Sequence, residues 1–207
     1  MRRNLNRCPG CLVHLGNCYC HLIEKISTKT RLSLIQFKKE KWLPSNTGQL
    51  SLSSLENSTL YERGHKYQFM PQLFANPCGY QSLYLYPSEE ATPLTKDYLQ
   101  QFSLPINLIV PDGTWRQAKK IHRREKFLQQ IPHVKLNSKT TSRYTLRRQK
   151  YEFGLCTHEA ISEALRILEG EATYLKLQEF FQVFLDAHHK NRQIFKPQKK
   201  KGIHQDP

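Results

Sequence analysis

The sequence predicts an α/β fold with a mainly parallel sheet, and three observations carry that prediction. Three short, largely apolar segments read as strands buried on both faces: Arg31–Phe37 (RLSLIQF), Ser82–Tyr86 (SLYLY) and Ile106–Val110 (INLIV). Segments of helical period lie between and after them. The alternation of the two along the chain is the pattern of a sheet crossed over by helices.

The elements follow in order. A basic, Pro-containing loop, KKEKWLPSNTGQL, leaves the first strand, and within it Ser45 to Gly48 forms a polar turn suited to presenting N–H groups to a ligand. Pro87 closes the second strand and Pro111 the third. Leu94–Phe102 reads as helical, and Thr114–Leu128 as a stronger helix. Arg116, Lys120 and Arg123 share one face of it, while Trp115, Ala118 and Ile121 share another, so one face packs and the other meets phosphates. His133–Leu136 is a short strand. Thr157–Gly170 places Ala160, Ile161, Ala164, Leu165 and Leu168 at helical spacing, with Thr157 as N-cap and Gly170 as the stop. A last helix spans about Ala172 to Lys190, and a basic flexible tail occupies 191–207.

The chain has 207 residues, 38% of them hydrophobic, enough for a real core and too many for a disordered protein. Nothing approaches the roughly 20 consecutive apolar residues of a membrane span. The start MRRNLNRCPG lacks a signal peptide's apolar region, so a cytoplasmic location with reduced thiols is expected. The formal net charge is +15, which points to an anionic partner, nucleic acid above all. Three stretches hold nearly all of that excess: 116–126, 142–150 and 190–207. No obligatory protein partner is evident, and the sequence leaves the oligomeric state undetermined.

Four of the six cysteines, Cys8, Cys11, Cys18 and Cys20, fall within the first twenty residues with the spacing C-x2-C-x6-C-x-C. Two tight pairs joined by a short loop give the converging thiolates of a tetrahedral zinc site, and a shell closed by four protein ligands is structural rather than catalytic. Residues 1–25 are therefore expected to form a small N-terminal zinc-binding module, followed by the α/β domain over 26–190. Cys78 and Cys156, isolated, read as small buried hydrophobes.

Two loop regions have the composition of a site. Asp112 to Trp115 (DGTW) ends the third strand and opens a helix, where α/β folds bind ligands; the carboxylate and the indole face make it a candidate. Arg143, Arg147 and Arg148, interleaved with Tyr144 and Tyr151, offer guanidinium forks for phosphates and rings for unpaired bases.

Together, C-x2-C-x6-C-x-C, SNTG, LYP (Leu85–Pro87), DGTW and LCTHEA (Leu155–Ala160) resemble the DTW-domain family of tRNA-uridine aminocarboxypropyltransferases, over about Cys8 to Leu185. The resemblance implies a SPOUT-like α/β domain with a trefoil knot, and S-adenosylmethionine as co-substrate. It implies transfer of a 3-amino-3-carboxypropyl group to uridine N3 in tRNA, on the variable loop in bacterial relatives. Asp112 and Trp115 would be the catalytic pair, with Cys8, Cys11, Cys18 and Cys20 on zinc. Cofactor contacts would come from Asn46, Thr47, Tyr86, Pro87, Leu155, Cys156 and Thr157. Asp112 is expected to accept or orient the N3 proton, or to fix the cofactor's amino group, while Trp115 stacks on the base or walls the cofactor. Two rival readings are a SPOUT-like RNA methyltransferase and a non-catalytic zinc-containing RNA-binding protein.

Overall fold

A computed structural model describes residues 6–63, 77–137, 141–146 and 154–194. Its strands are β1 (Arg31–Phe37), β2 (Ser58–Arg63), β3 (Gln81–Leu85), β4 (Thr92–Pro93), β5 (Ile106–Asp112) and β6 (His133–Lys135). The helices among the described residues are α1 (Thr47–Ser54), α2 (Lys96–Leu99), α3 (Trp115–Arg124), α4 (Thr157–Leu168) and α5 (Glu171–Ile194). The strands form one sheet in the order β2-β1-β5-β3-β6-β4, and every neighbouring pair is parallel.

The two-residue period of the strands sorts their side chains onto two faces. Leu32, Leu34, Leu83, Leu85, Leu108 and Val110 build one core with Ile161 and Leu165 of α4 and Phe180, Phe181 and Phe184 of α5. Ile35, Tyr84 and Ile109 build the other with Ile121 of α3 and the following Leu128 and Ile131. Helices cover both faces, as near-continuous apolar strands require. Polar strand positions are also satisfied: Ser33 Oγ donates to Asn107 Oδ1 at 2.6 Å, and Asn107 Nδ2 donates to Ser82 Oγ at 2.8 Å.

Several boundaries differ from the sequence expectations. The SNTG stretch is not a plain turn; Asn46 Oδ1 accepts from the Gln49 N–H at 2.9 Å and caps α1. That helix buries Gly48, Ser51 and Ser54 as well as Leu50, so no apolar stripe marks it in the sequence. Pro111 does not close β5, which runs on through Asp112. The helical reading of Leu94–Phe102 shrinks to the four residues of α2, capped by Thr95. In place of one helix to Leu128, α3 ends at Arg124; Glu125 turns aside, and Lys126–Gln130 form a 3-10 turn that buries Leu128. Cys156, not Thr157, is the N-cap of α4, because the Thr157 hydroxyl is committed elsewhere. Helix α5 continues to Ile194, past Lys190, and 195–207 lie outside the described residues. Cys78 is exposed rather than buried.

The expected knot is not shown among the described residues; of the connection from β6 to α4, 138–140 and 147–153 lie outside them. The N-terminal segment packs against the far half of α5. Val13 is fully buried, Tyr19 meets Phe184 edge-on at 5.8 Å, and the His14 N–H donates to Asn191 Oδ1 at 3.0 Å. No helix among the described residues is long and apolar enough to cross a membrane.

Candidate active site

Strand β5 delivers Asp112 to the carboxyl edge of the sheet, where it is 2% exposed. Its Oδ2 accepts from Gln36 Nε2 at the end of β1 and from Asn46 Nδ2 at the cap of α1, both at 2.7 Å. Its Oδ1 accepts from Thr157 Oγ1 at the start of α4, at 2.6 Å. A carboxylate offers about four acceptor positions, so three neutral donors leave it one. The side chain thus ties together three loops that are far apart in the chain.

Two glycines make that junction sterically feasible. A Cβ at Gly48 would stand 2.7 Å from the Asp112 Cγ, closer than Cβ atoms of folded proteins approach other heavy atoms. Gly113 has φ +134°, and a Cβ there would meet the Gln117 Oε1 at 2.8 Å. Next comes Thr114, whose Oγ1 accepts from the Gln117 N–H at 3.3 Å while its own N–H donates to Gln117 Oε1 at 2.6 Å. This capping box starts α3 and places Trp115, 40% exposed, at the mouth of a cleft.

The cleft has a volume of about 790 Å³. Every residue expected to contact the cofactor lines it: Asn46, Thr47, Tyr86, Pro87, Leu155, Cys156 and Thr157, together with Asp112 and Trp115. Its Tyr86 wall is stacked on His122 at 4.4 Å, with Tyr84 behind Tyr86 at 5.6 Å. Burial, and then the neighbouring His133, lower the His122 pKa and favour a neutral ring. On the opposite side Tyr144 is buried, and its hydroxyl donates to the Ser45 carbonyl at 2.5 Å; it shapes the pocket rather than offering a free stacking face.

The basic residues divide. Arg116 lines the cleft, and Lys120 and Arg123 stand exposed on the outer face of α3. Arg143 does not line the cleft: its guanidinium donates to Gln178 and Gln182 of α5. Arg147, Arg148 and Tyr151 lie outside the described residues. Sequence reasoning missed Lys119 and Lys135 on the cleft wall, and Gln36, Gly48 and His122 behind it. A polar Gln36 at the end of an otherwise apolar strand was the one available signal. His158, inside LCTHEA, is a core residue. Its Nε2–H donates to the Leu177 carbonyl at 3.0 Å, which leaves Nδ1 to accept from Ser51 Oγ at 2.8 Å.

The sulfurs of Cys8, Cys11, Cys18 and Cys20 all lie within 4.8 Å of one another. Tetrahedral bonds of about 2.3 Å give sulfur–sulfur edges of about 3.8 Å. Cys8–Cys20, Cys11–Cys18 and Cys8–Cys18 stand at 3.8, 3.9 and 3.3 Å. Leu12 has φ +61°, a left-handed conformation a branched residue adopts only under constraint, and it turns the chain just after Cys11. Burial pushes the Cys8 thiol up, but the N–H groups of Cys11 and Gly10 and the Cys18 thiol outweigh it and bring it to about 7. Burial, and then the charge of Cys11, push Cys20 the other way. The four residues could hold a metal ion, whose charge would offset their thiolates.

A parallel α/β sheet with a cleft at its carboxyl edge and a four-thiol cluster packed against its last helix defines a class of ligand-binding domain. More particularly, the model of the DTW domain matches residues 5–189, and the chain belongs to that family. A Drosophila melanogaster protein named tRNA-uridine aminocarboxypropyltransferase 2 is 27% identical over 176 residues, 80% of this chain and 67% of that protein. Its namesake from Mus musculus is 38% identical over 88 residues, 42% of this chain and 30% of that protein. The chain therefore spans about two thirds of the first relative and under a third of the second. Among solved structures, the SAM-dependent rRNA:acp-transferase Tsr3 from Vulcanisaeta distributa superposes with a TM-score of 0.53, covering 81% of both chains at 17% identity. That likeness shows a shared fold.

Proposed function

We propose that this protein transfers the 3-amino-3-carboxypropyl group of S-adenosylmethionine to N3 of a tRNA uridine, in the variable loop, and releases methylthioadenosine. The observation that carries the reading is the single cleft lined by Asp112, Trp115 and all seven residues expected at the cofactor. Its size, about 790 Å³, has room for a nucleoside-sized co-substrate and an unstacked base together. S-adenosylmethionine supplies an electrophilic methylene bonded to a sulfonium sulfur. The N3–C bond forms as the C–S bond breaks, the sulfur keeps the electron pair, and the N3 proton passes to solvent water. Ordinary methyl transfer uses the same sulfonium, so the outcome depends on which carbon faces the nucleophile. That is a matter of held geometry.

In this reading Asp112 is a positioning residue. Three donors occupy it, and the carboxylate holds Asn46 and Thr157 in the cleft wall with Gln36 behind them. Trp115 stands where an incoming base can stack, and Arg116, Lys119 and Lys135 supply positive charge around the cleft for phosphates or the methionyl carboxylate. Lys120 and Arg123 extend that charge along α3 towards the RNA. Cys8, Cys11, Cys18 and Cys20 hold a structural Zn²⁺ that fixes the N-terminal segment on α5, a role that suits the reduced thiols of a cytoplasmic protein.

The test is incubation with unmodified tRNA and S-adenosylmethionine labelled in parallel on the methionyl chain and on the methyl group, followed by nucleoside mass spectrometry. Label from the methionyl chain on uridine is expected. Methyl label on the RNA would replace this reading with a methyltransferase, and no cofactor binding by calorimetry would replace it with a non-catalytic RNA binder.

A further inference from the structure

The chain has two tryptophans and both stand in solvent: Trp42 is 63% and Trp115 40% exposed. Tryptophan is usually well buried, so the Trp42 ring, with the Lys41 Nζ 6.0 Å from its centre, leaves an unusual amount of apolar surface in solvent. Trp42 ends the 3-10 turn Glu40–Trp42, and three residues later the same connection reaches Ser45 on the cleft wall. That turn is anchored. Glu40 is 5% exposed and its Oε1 accepts from Gln117 Nε2 at 2.9 Å, the same Gln117 that closes the capping box before Trp115. The turn bearing Trp42 is therefore tied to the loop bearing Trp115.

The surroundings are basic. Lys38 and Lys39 are exposed beside the turn. The Lys120 Nζ lies 5.7 Å from the Phe37 ring centre, which brings the outer face of α3 against the end of β1. The nearby acidic side chains are already engaged: Glu40 by Gln117, Glu62 by Lys41 and Glu125 by Arg63.

We propose that Trp42 is a stacking ledge for an unpaired RNA base next to the modified uridine, with Lys38, Lys39 and Lys120 on the adjoining phosphates. The proposal rests on the tRNA reading above and goes beyond it by naming a second RNA-contacting surface outside the cleft. An indole flanked by flexible cations, without forked donors for base edges, suits single-stranded RNA of any sequence. Stacking a neighbour on Trp42 also offsets the stacking that the target uridine loses when it swings into the cleft.

Replacing Trp115 with Phe leaves Trp42 as the only indole, and its emission then reports on the ledge. A stem-loop RNA with an unpaired loop is expected to quench it with a saturating isotherm, and a duplex of equal length is not. Trp42→Ala should raise the KM for tRNA about 5- to 150-fold, the range for losing one stacked base. Trp42→Phe should recover most of that, with S-adenosylmethionine affinity unchanged. The salt slope of log K should stay as in wild type for Trp42→Ala and shrink by about one per residue for Lys38→Ala and Lys39→Ala. Wild-type tRNA affinity in Trp42→Ala, or equal quenching by duplex and loop, overturns the ledge while transfer to tRNA leaves the function standing. A wild-type protein that neither binds nor modifies tRNA overturns both.

Discussion

The four-thiol cluster and the Asp112 junction are both places where polar groups converge on one point, but they close over different distances along the chain. Cys8 to Cys20 span thirteen residues, and their backbone turns are local, as in the Cys8 N–H to Val13 carbonyl bond of 2.8 Å. Asp112 gathers Gln36 and Asn46 from the two ends of the β1–α1 connection and Thr157 from the start of α4. The first is proposed to hold a cation, whereas the second is satisfied by neutral donors from the end of β1 and the starts of α1 and α4. Failure should therefore differ: the thiol cluster detaches as a unit, and the junction fails by misaligning loops within a fold that persists.

The largest effect is expected from removing the metal. Cys8→Ser, or a strong chelator, should release the N-terminal segment, with early proteolysis within residues 6–25 and a fall in melting temperature of many degrees, since structural zinc contributes on the order of 10 kcal/mol in small sites. Elemental analysis should find one zinc per wild-type chain. A metal-free protein with the same melting curve would sink the comparison.

Gly48→Ala comes next. Its Cβ would collide with the Asp112 carboxylate at 2.7 Å, so the junction must open. Stability should fall by about 2 kcal/mol and cofactor affinity should be lost, as seen by calorimetry, while the zinc content is unchanged. Asp112→Asn should cost a comparable amount while leaving the backbone in place. Its amide would face donors from Gln36 and Asn46, or from Thr157, at a cost of about 1–3 kcal/mol. Cofactor affinity and kcat should fall together; loss of kcat alone would return Asp112 to the role of proton acceptor.

The last effect is graded by pH. Burial brings the pKa of His158, and that of His188, from 6.5 down to about 4, so both are neutral in the fold. Between these values the unfolded chain binds more protons, and stability present above about pH 6.5 is lost as pH falls towards 4. The slope should reach about 1 kcal/mol per pH unit for each histidine. Denaturant midpoints at pH 7.5 and 5.5 check it, and equal midpoints would contradict the buried, neutral assignment.

Much of this architecture was legible in short stretches. RLSLIQF, SLYLY and INLIV are apolar runs that only a sheet covered on both faces can bury, and all three are strands at the centre of the sheet. Helix α1 was not legible, because it packs through Gly48, Ser51 and Ser54 and so lacks the apolar stripe that reveals a helix. Nor was the division among the arginines: Arg116 faces the cleft and Arg143 lies against α5, although both are charged residues in polar sequence.

By itself, then, the sequence determined what depends on near neighbours: the cysteine spacing, the strand and helix periods, the DGTW turn and the concentration of positive charge. Each is set by bonding and burial within a few residues. The tertiary structure alone decided what depends on the sheet order, in which β1 and β5 become neighbours and set Gln36 opposite Asp112. Seventy-six residues of chain separate that pair, and only the parallel register closes the gap to a 2.7 Å hydrogen bond.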